Sequence, residues 1–403
     1  MAADVVSAAG HSVVVLERMP TAGRKLMLAG RGGLNLTHSE PLEAFLGRYG
    51  AARDRIQPLL AAFSPSDLIR FAEDLGQATF VGSSGRVFPK AMKASPLLRA
   101  WLARLAARGV EIRTRHRWTG LAPDAAILVE DRGGMTVRLE ADALVLALGG
   151  ASWPRLGADG SWQEIFYQWG VALAPLQPSN CGVLVPWSAH IAERFAGMPL
   201  KRIAVSHEET RVRGEALITA TGLEGGAIYA LGPSLRQALQ TAGKTLIHLD
   251  LRPDATIAEL AARLAKPHGK ASLANRLRKA LGLDAASIAL LHETGGRTGG
   301  VSLPADPAVL AALIKAVPVT VTGLADLSRA ISTAGGVSFA EVDETLMLRR
   351  RPGIFVAGEM LDWDAPTGGY LLQATFASGV VAGRGVIDFL ARHLSVRRTA
   401  TPC

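Results

Sequence analysis

The first residue with chemistry to offer is an acid at the tip of a short apolar strand. Val13-Val14-Val15-Leu16 runs directly into Glu17. A stretch of small and apolar residues from Ala2 to Ala9, stopped by Gly10, reads as a helix feeding that strand. Helix, buried strand and terminal carboxylate make up the second half of a βαβ dinucleotide unit, in which the acid accepts from the ribose hydroxyls of the adenosine half. The competing reading is an ordinary surface acid, but the apolar strand directly before Glu17 favours the ribose role. Arg18 lies beside it. Residues 20–37 then form a basic, glycine-rich loop. In it, Arg24 and Lys25 are charge-assisted donors suited to a pyrophosphate. Gly30, Gly32 and Gly33 let backbone pass close to a flat ring, and Asn35 can bond to backbone or to such a ring. A solvated basic loop, or an RGG-like nucleic-acid segment at Arg31-Gly32-Gly33, is the alternative. The apolar neighbours Leu26, Met27, Leu28, Leu34 and Leu36 argue for an ordered loop.

Three further glycine-bearing turns stand at element ends. Ala147-Leu148-Gly149-Gly150 closes the apolar strand that begins at Ala143. Gly358-Glu359 follows the strand Ile354–Ala357. Gly368-Gly369-Tyr370-Leu371 opens a closing helix over about 372–393. Backbone N–H groups at a helix start, with the positive end of its dipole, suit an electron-rich ring edge.

Taken in order, Gly23-Arg24-Lys25, Gly30-Arg31-Gly32-Gly33-Leu34-Asn35, Gly85-Arg86-Val87-Phe88-Pro89, Gly149-Gly150-Ala151-Ser152-Trp153-Pro154, Thr333-Ala334-Gly335-Gly336-Val337, Gly358-Glu359 with Leu361-Asp362, and Pro366-Thr367-Gly368-Gly369-Tyr370 with Gln373 form one series. This series resembles the BaiN/YhiN-like (aminoacetone oxidase-like) bacterial FAD-binding oxidoreductases over essentially the whole chain. The resemblance implies an α/β fold: a glutathione-reductase-type, Rossmann-like FAD domain interrupted by a β-rich domain that carries a helical insert. It also implies bound FAD, with Gly149, Gly150 and Ala147 near the cofactor, Glu359 at the ribityl or phosphate region, and the Gly368-Gly369-Tyr370-Leu371 turn at the N1/O2 edge of the flavin. The sequence departs from that family at Leu148, usually Thr, at Ala365, often Gly, and at Leu371, often Asn. Leu148 removes the hydroxyl that the family carries at this strand end, and the changes at Ala365 and Leu371 fall close to the flavin that the resemblance implies.

The elements that must position these residues fall into three stretches. Residues 1–177 read as the first part of the FAD domain, and 335–403 as its second part. Residues 178–334 form the interruption: short strand patterns dominate to about 250, a helical subdomain covers about 253–297, and strand-like pieces return near 301–303 and 317–321. The opening strand and a G-x-G-x-x-G turn do not precede the first helix, so the chain reads as N-terminally truncated. Either it starts late at an internal methionine, which is the favoured reading, or it has lost its phosphate turn.

Composition limits the classes. Of 403 residues, 49% are hydrophobic and 20% charged, enough for a sizeable core and against wholesale disorder. Two cysteines, Cys181 and Cys403, cannot build a disulfide framework or a metal cluster, and a reducing, cytoplasmic setting fits. No apolar run of membrane-spanning length stands out. The net charge of +9 favours anionic ligands without choosing among them. Much of the arginine reads as solvated helix face, in runs such as Arg99, Arg104, Arg108, Arg113 and Arg117, then Lys201, Arg202, Arg211 and Arg213. No side chain stands out as acid, base or nucleophile. His38, His190, His207 and His292 are isolated, and Lys90, Lys93 and Tyr370 are candidates for lining a pocket.

The reading is therefore an FAD-dependent oxidoreductase. It would pass hydride between bound flavin and a small organic substrate or NAD(P)H, with the inserted domain setting specificity. No second G-x-G-x-x-G occurs, so a nicotinamide would dock transiently. A tRNA-acting flavoprotein is the alternative, motivated by charge; scattered basic residues and only 5% aromatics argue against nucleic acid. The third possibility is a truncated chain that does not hold FAD.

Overall fold

The computed structural model describes residues 1–30, 32–267, 272–296 and 303–399. Arg31, Cys403 and the strand-like piece at 301–302 lie outside them. The chain divides into two units: Met1–Gln177 with Ser332–Cys403, and Pro178–Ile331.

The first unit opens with α1 (Ala2–Ala8), β1 (Val14–Glu17), α2 (Arg24–Ala29) and β2 (Thr37–His38). A helical run follows, α3 (Leu42–Gly47), α4 (Arg53–Ala62) and α5 (Pro65–Asp74). A capping box starts α5: Ser64 Oγ accepts from the Asp67 N–H at 3.2 Å, and Asp67 Oδ2 accepts from the Ser64 N–H at 2.8 Å. Next come β3 (Thr79–Val81) and β4 (Arg86–Pro89), which join β2 in a small antiparallel sheet ordered β2-β4-β3. Then α6 (Ala94–Ala107) leads into β5 (Glu111–Thr114), which pairs in parallel with β1 so that Glu17 lies opposite Thr114. A meander of β6 (Arg117–Leu121), β7 (Ile127–Glu130) and β8 (Thr136–Leu139) turns at Gly133-Gly134. It is followed by β9 (Leu144–Leu146), α7 (Trp162–Gln168) and β10 (Leu173–Ser179).

The second unit contains β11 (Val183–Leu184), α8 (Ala189–Arg194), β12 (Pro199–His207), β13 (Thr210–Thr219) and β14 (Gly222–Glu224). Two helices absent from the sequence reading follow, α9 (Gly226–Tyr229) and α10 (Gly232–Ala242), and then β15 (Thr245–Asp250). The helical stretch comprises α11 (Ile257–Ala265), α12 (Leu273–Leu281), α13 (Ala285–Gly296) and α14 (Pro307–Lys315), before β16 (Val317–Val321) and β17 (Gly323–Leu324). The seven strands form one antiparallel sheet, β16-β15-β12-β13-β14-β11-β17. Its buried face (Ile203, Val205, Ile218, Ile247, Leu249) shares a core with Leu260, Leu277 and Leu290 of the helices. Period-2 and period-3.6 apolar patterns thus meet on one surface.

The chain re-enters the first unit at Ser332, the start of β18 (Ser332–Val337), which forms a two-stranded sheet with β10. Two further elements complete this unit. The strand β19 (Ile354–Val356) runs parallel to β9, with Val356 opposite Leu146, and α15 (Tyr370–Thr399) closes the chain. By length and composition, Tyr370–His393 is apolar enough to cross a membrane, which corrects the expectation that no such run exists. Its residues Ala374, Ala377, Val386 and Phe389 are buried with Phe355 and Val356, so it behaves as a core helix. The basic residues also need correction. Arg113 is on β5, Arg117 on β6, Lys201 and Arg202 on β12, and Arg211 and Arg213 on β13. Arg211 pairs with Asp250 and Arg213 with Asp254, each at 2.6 Å, so local acids already neutralise part of the run.

Candidate functional site

The parallel strands β9 and β19 end side by side, and their glycine-bearing tips meet around one carboxylate. Glu359 Oε1 accepts from the Thr333 N–H at 2.9 Å, and Oε2 from the Gly150 N–H at 3.4 Å. Lys25 Nζ lies 2.5 Å from the same Oε2 and 2.7 Å from Ser152 Oγ. Thr333 Oγ1 in turn accepts from the Ala151 and Ser152 N–H groups at 3.0 and 3.1 Å. Only glycine fits at position 150, because a Cβ there would lie 2.3 Å from Thr333 Oγ1. Gly149 has an αL backbone and accepts from Trp162 Nε1 at 2.9 Å; Ala147 precedes it. Gly358 donates to Ser378 Oγ at 2.9 Å, which fixes the start of the β19 turn. The lysine predicted to face a pyrophosphate is therefore already bonded to an acid and a hydroxyl.

On the β1 side, Glu17 Oε1 accepts from the Met19 N–H at 2.7 Å, which leaves Oε2 for a ligand hydroxyl. Burial pushes this carboxyl above its ordinary value, against the pull of the Met19 bond and of Arg18 and Arg24. Arg18 is turned to Asp159 in an ion pair. Arg24 Nε is buried without a hydrogen-bond partner among the described residues. It lines a cavity of about 460 Å³ together with Thr21, Ala22, Met27, Lys93 and Leu156. Lys93 thus reaches a pocket edge, whereas Lys90 is simply exposed.

The glycine-rich loop divides by role. Gly30 packs on the start of α6, where a Cβ would sit 2.6 Å from that of Ala94. Helix packing is therefore reason enough for glycine at this position. Gly32 has open space around it, and Gly33 lies against Met92. Further on, Asn35 Oδ1 and Thr37 Oγ1 are buried without partners among the described residues. Thr37 is in backbone contact with the start of α15, since a Cβ at Gly369 would lie 2.6 Å from Thr37 Cα and C. With φ of +133° and +99°, Gly368 and Gly369 bring the chain round into that helix. Tyr370 follows, buried; its hydroxyl donates to Glu40 Oε1 at 2.6 Å, and its ring packs 4.8 Å from Phe45. Leu371 packs on the core.

These features fit FAD. They offer a carboxylate with a spare acceptor, an arginine with an unused buried donor, orphaned acceptors at Asn35 and Thr37, two glycine-tipped strand ends, and a helix start whose first N–H groups have no intrahelical partner. The family described as HI0933-like protein Rossmann domain matches residues 1–385. The chain belongs to that family. This HI0933-like protein is an FAD-dependent oxidoreductase with a Rossmann-type α/β fold. It is 27% identical over 389 residues to a 3-dehydro-bile acid delta(4,6)-reductase of Clostridium scindens, covering 93% of each chain. It is 26% identical over 392 residues to a ribosomal RNA dihydrouridine synthase of Escherichia coli, covering 94% of this chain and 93% of that one. Among solved structures, the 3-ketosteroid delta1-dehydrogenase of Sterolibacterium denitrificans shares the fold at a TM-score of 0.50 and 14% identity, with 97% of each chain covered.

Several residues of the candidate site carried no signal in the sequence. Thr333 and Ser152 lay inside quoted motifs, but nothing in their spacing tied them to Glu359. Thr37 and Glu40 carried no motif at all. Arg48 likewise stood in no motif. His207, by contrast, is the structural histidine expected of a lone one, held at 2.9 Å by both Ser234 Oγ and Thr245 Oγ1.

Proposed function

We propose that this protein saturates an electron-poor carbon–carbon double bond, with hydride carried by FAD and electrons drawn from transiently docked NAD(P)H. One observation carries the reading. Two relatives, named for a bile acid and for ribosomal RNA, share by name the saturation of a double bond in an unsaturated carbonyl compound. Bound FAD supplies the hydride-donating centre. The chain's own residues hold and orient. We place Glu17 on the adenosine ribose and Arg24 on the pyrophosphate. Glu359, braced by Lys25, would hold the strand ends at the ribityl region. The Gly368-Gly369 turn would present the α15 N–H groups to the N1/O2 edge, with Asn35 close by. Hydride adds to one alkene carbon and a solvent proton to its neighbour. Tyr370 is not that proton's source, because burial and its bond to Glu40 push its hydroxyl well above the ordinary phenol value.

A small unsaturated ketone is the substrate class we favour. A uridine-containing RNA is the second reading, supported by the +9 charge and the dihydrouridine synthase relative. We place the protein in the cytoplasm on its sparing use of cysteine. The test is anaerobic: bleach the flavin band with NADPH, then add a 4-en-3-one steroid or a uridine-containing RNA. The expected result is stoichiometric return of the band with formation of the saturated product. Return by RNA alone, falling steeply with salt, would select the second reading. Return only on admitting oxygen would refute both.

A further inference from the structure

A second network lies behind the start of α15, built from residues with no motif. Glu40 accepts from Tyr370 Oη at 2.6 Å. It also takes a bidentate pair from Arg48, Nε to Oε1 at 3.1 Å and Nη2 to Oε2 at 2.7 Å. The Arg48 guanidinium stands 5.8 Å from the centre of the Tyr370 ring, and the His38 ring stacks on that ring at 5.5 Å. The backbone N–H of Glu40 donates to His38 Nδ1 at 3.1 Å; the proton is therefore on Nε2, which donates to the Ser84 carbonyl at 2.9 Å. From a third side, Tyr49 Oη donates to the Tyr370 carbonyl at 2.8 Å. Tyr370 is the first residue of α15 and directly follows the two positive-φ glycines.

We propose that Glu40, steered by Arg48, is a positioning residue for the flavin. Acting through the Tyr370 hydroxyl, it fixes the direction in which the first N–H groups of α15 point, and so sets the flavin's reduction potential. The physical reason lies in the turn. Gly368 and Gly369 have no side chains to lock them, so the helix start is held by the Tyr370 side chain, by the Tyr49 bond to the Tyr370 carbonyl and by the Thr37 backbone. Without the Glu40 anchor, the Tyr370 hydroxyl end loses its fixed point and the N–H dipoles are less well pre-aligned for the electron-rich reduced ring. This inference rests on placing the α15 start at the flavin.

The experiment measures the flavin midpoint potential and FAD affinity of Y370F, E40A, E40Q and G368A in the full chain, together with each melting temperature. In Y370F and E40A the potential should fall and the FAD Kd rise about tenfold, and the two effects should be far less than additive when combined, because both remove the Tyr370–Glu40 contact. E40Q should restore most of the potential, since a glutamine oxygen still accepts from Tyr370. G368A, which disturbs the turn itself, should shift the potential at least as far. If Y370F and E40A lower the melting temperature but leave the potential where it was, while G368A moves it, Glu40 is only a brace and the proposal is wrong. If G368A also leaves the potential unmoved, the helix start is not at the flavin, and both readings fall.

Discussion

Replacing Gly369 with alanine tests the site where two distant chain segments come closest. Its φ of +99° lies where a Cβ is unwelcome, at roughly 1–2 kcal/mol. The added Cβ would also stand 2.6–2.7 Å from the Cα, C and O of Thr37. Ordinary carbon contacts are about 3.5–4.0 Å, so backbone must yield by about 1 Å. Overpacking of this kind costs about 1–3 kcal/mol. No rotamer change can relieve it, because the obstruction is main chain. The combined loss is about 2–5 kcal/mol, which lowers Tm by roughly 4–20 °C for a domain of this size. The strain falls on the α15 start, so FAD Kd should rise by at least about tenfold, the equivalent of 1.4 kcal/mol. The assay is a thermal melt by circular dichroism paired with an FAD titration by flavin fluorescence. A G369A protein that melts within about 1 °C of wild type and binds FAD unchanged would refute the close approach of Gly369 to Thr37 and its role in the site.

Gly150 makes an instructive contrast, because the obstruction there is a side chain. G150A should be destabilised by about 1–3 kcal/mol, and its loss combined with that of T333G should be less than the sum of the two single losses in a denaturant melt; purely additive losses would contradict the contact. K25M should cost about 1 kcal/mol, the value of a partly exposed pair, and should cost less when Glu359 is already glutamine, as a double-mutant cycle in urea would read out. Hydrogen bonds from Arg48, then the one from Tyr370, hold the Glu40 carboxyl below its ordinary 4.5. Its contribution to stability is therefore present above that value and lost as pH falls through the lower folded value. The Tm gap between wild type and E40Q should be open at pH 7 and close as the solution is acidified below about pH 4.5; a gap independent of pH would show that the charge on Glu40 contributes nothing.

Much of the fold could be read from local rules. The strand ending in Glu17, the helix over Ala94–Ala107, the hairpin at Gly133-Gly134 and the strand Ile354–Val356 follow from apolar period and turn chemistry. The short helices α9 and α10 escaped notice because they sit between strand patterns and begin at glycines, which carry no helix signal. The apolar character of α15 was hidden by the glycines and arginine within it. Its burial became visible only when Phe355 and Val356 were seen against it.

The sequence by itself determined where the chain must turn and which ends carry an acid. Glycine, apolar period and a terminal carboxylate are local properties, so Glu17, Gly149-Gly150, Gly358-Glu359 and Gly368-Gly369 are all evident in the sequence. Which groups meet was decided only by the tertiary structure. Lys25 reaches Glu359 across 334 positions, and Tyr370 reaches Glu40 across 330. A charged side chain takes whichever partner the packed backbone brings within about 3 Å. The same two cations, Arg24 and Lys25, look alike in sequence, yet Lys25 is tied to an acid and Arg24 keeps a buried donor without a partner among the described residues. That difference is a matter of distance, and distances between remote residues are set by packing rather than by spacing along the chain.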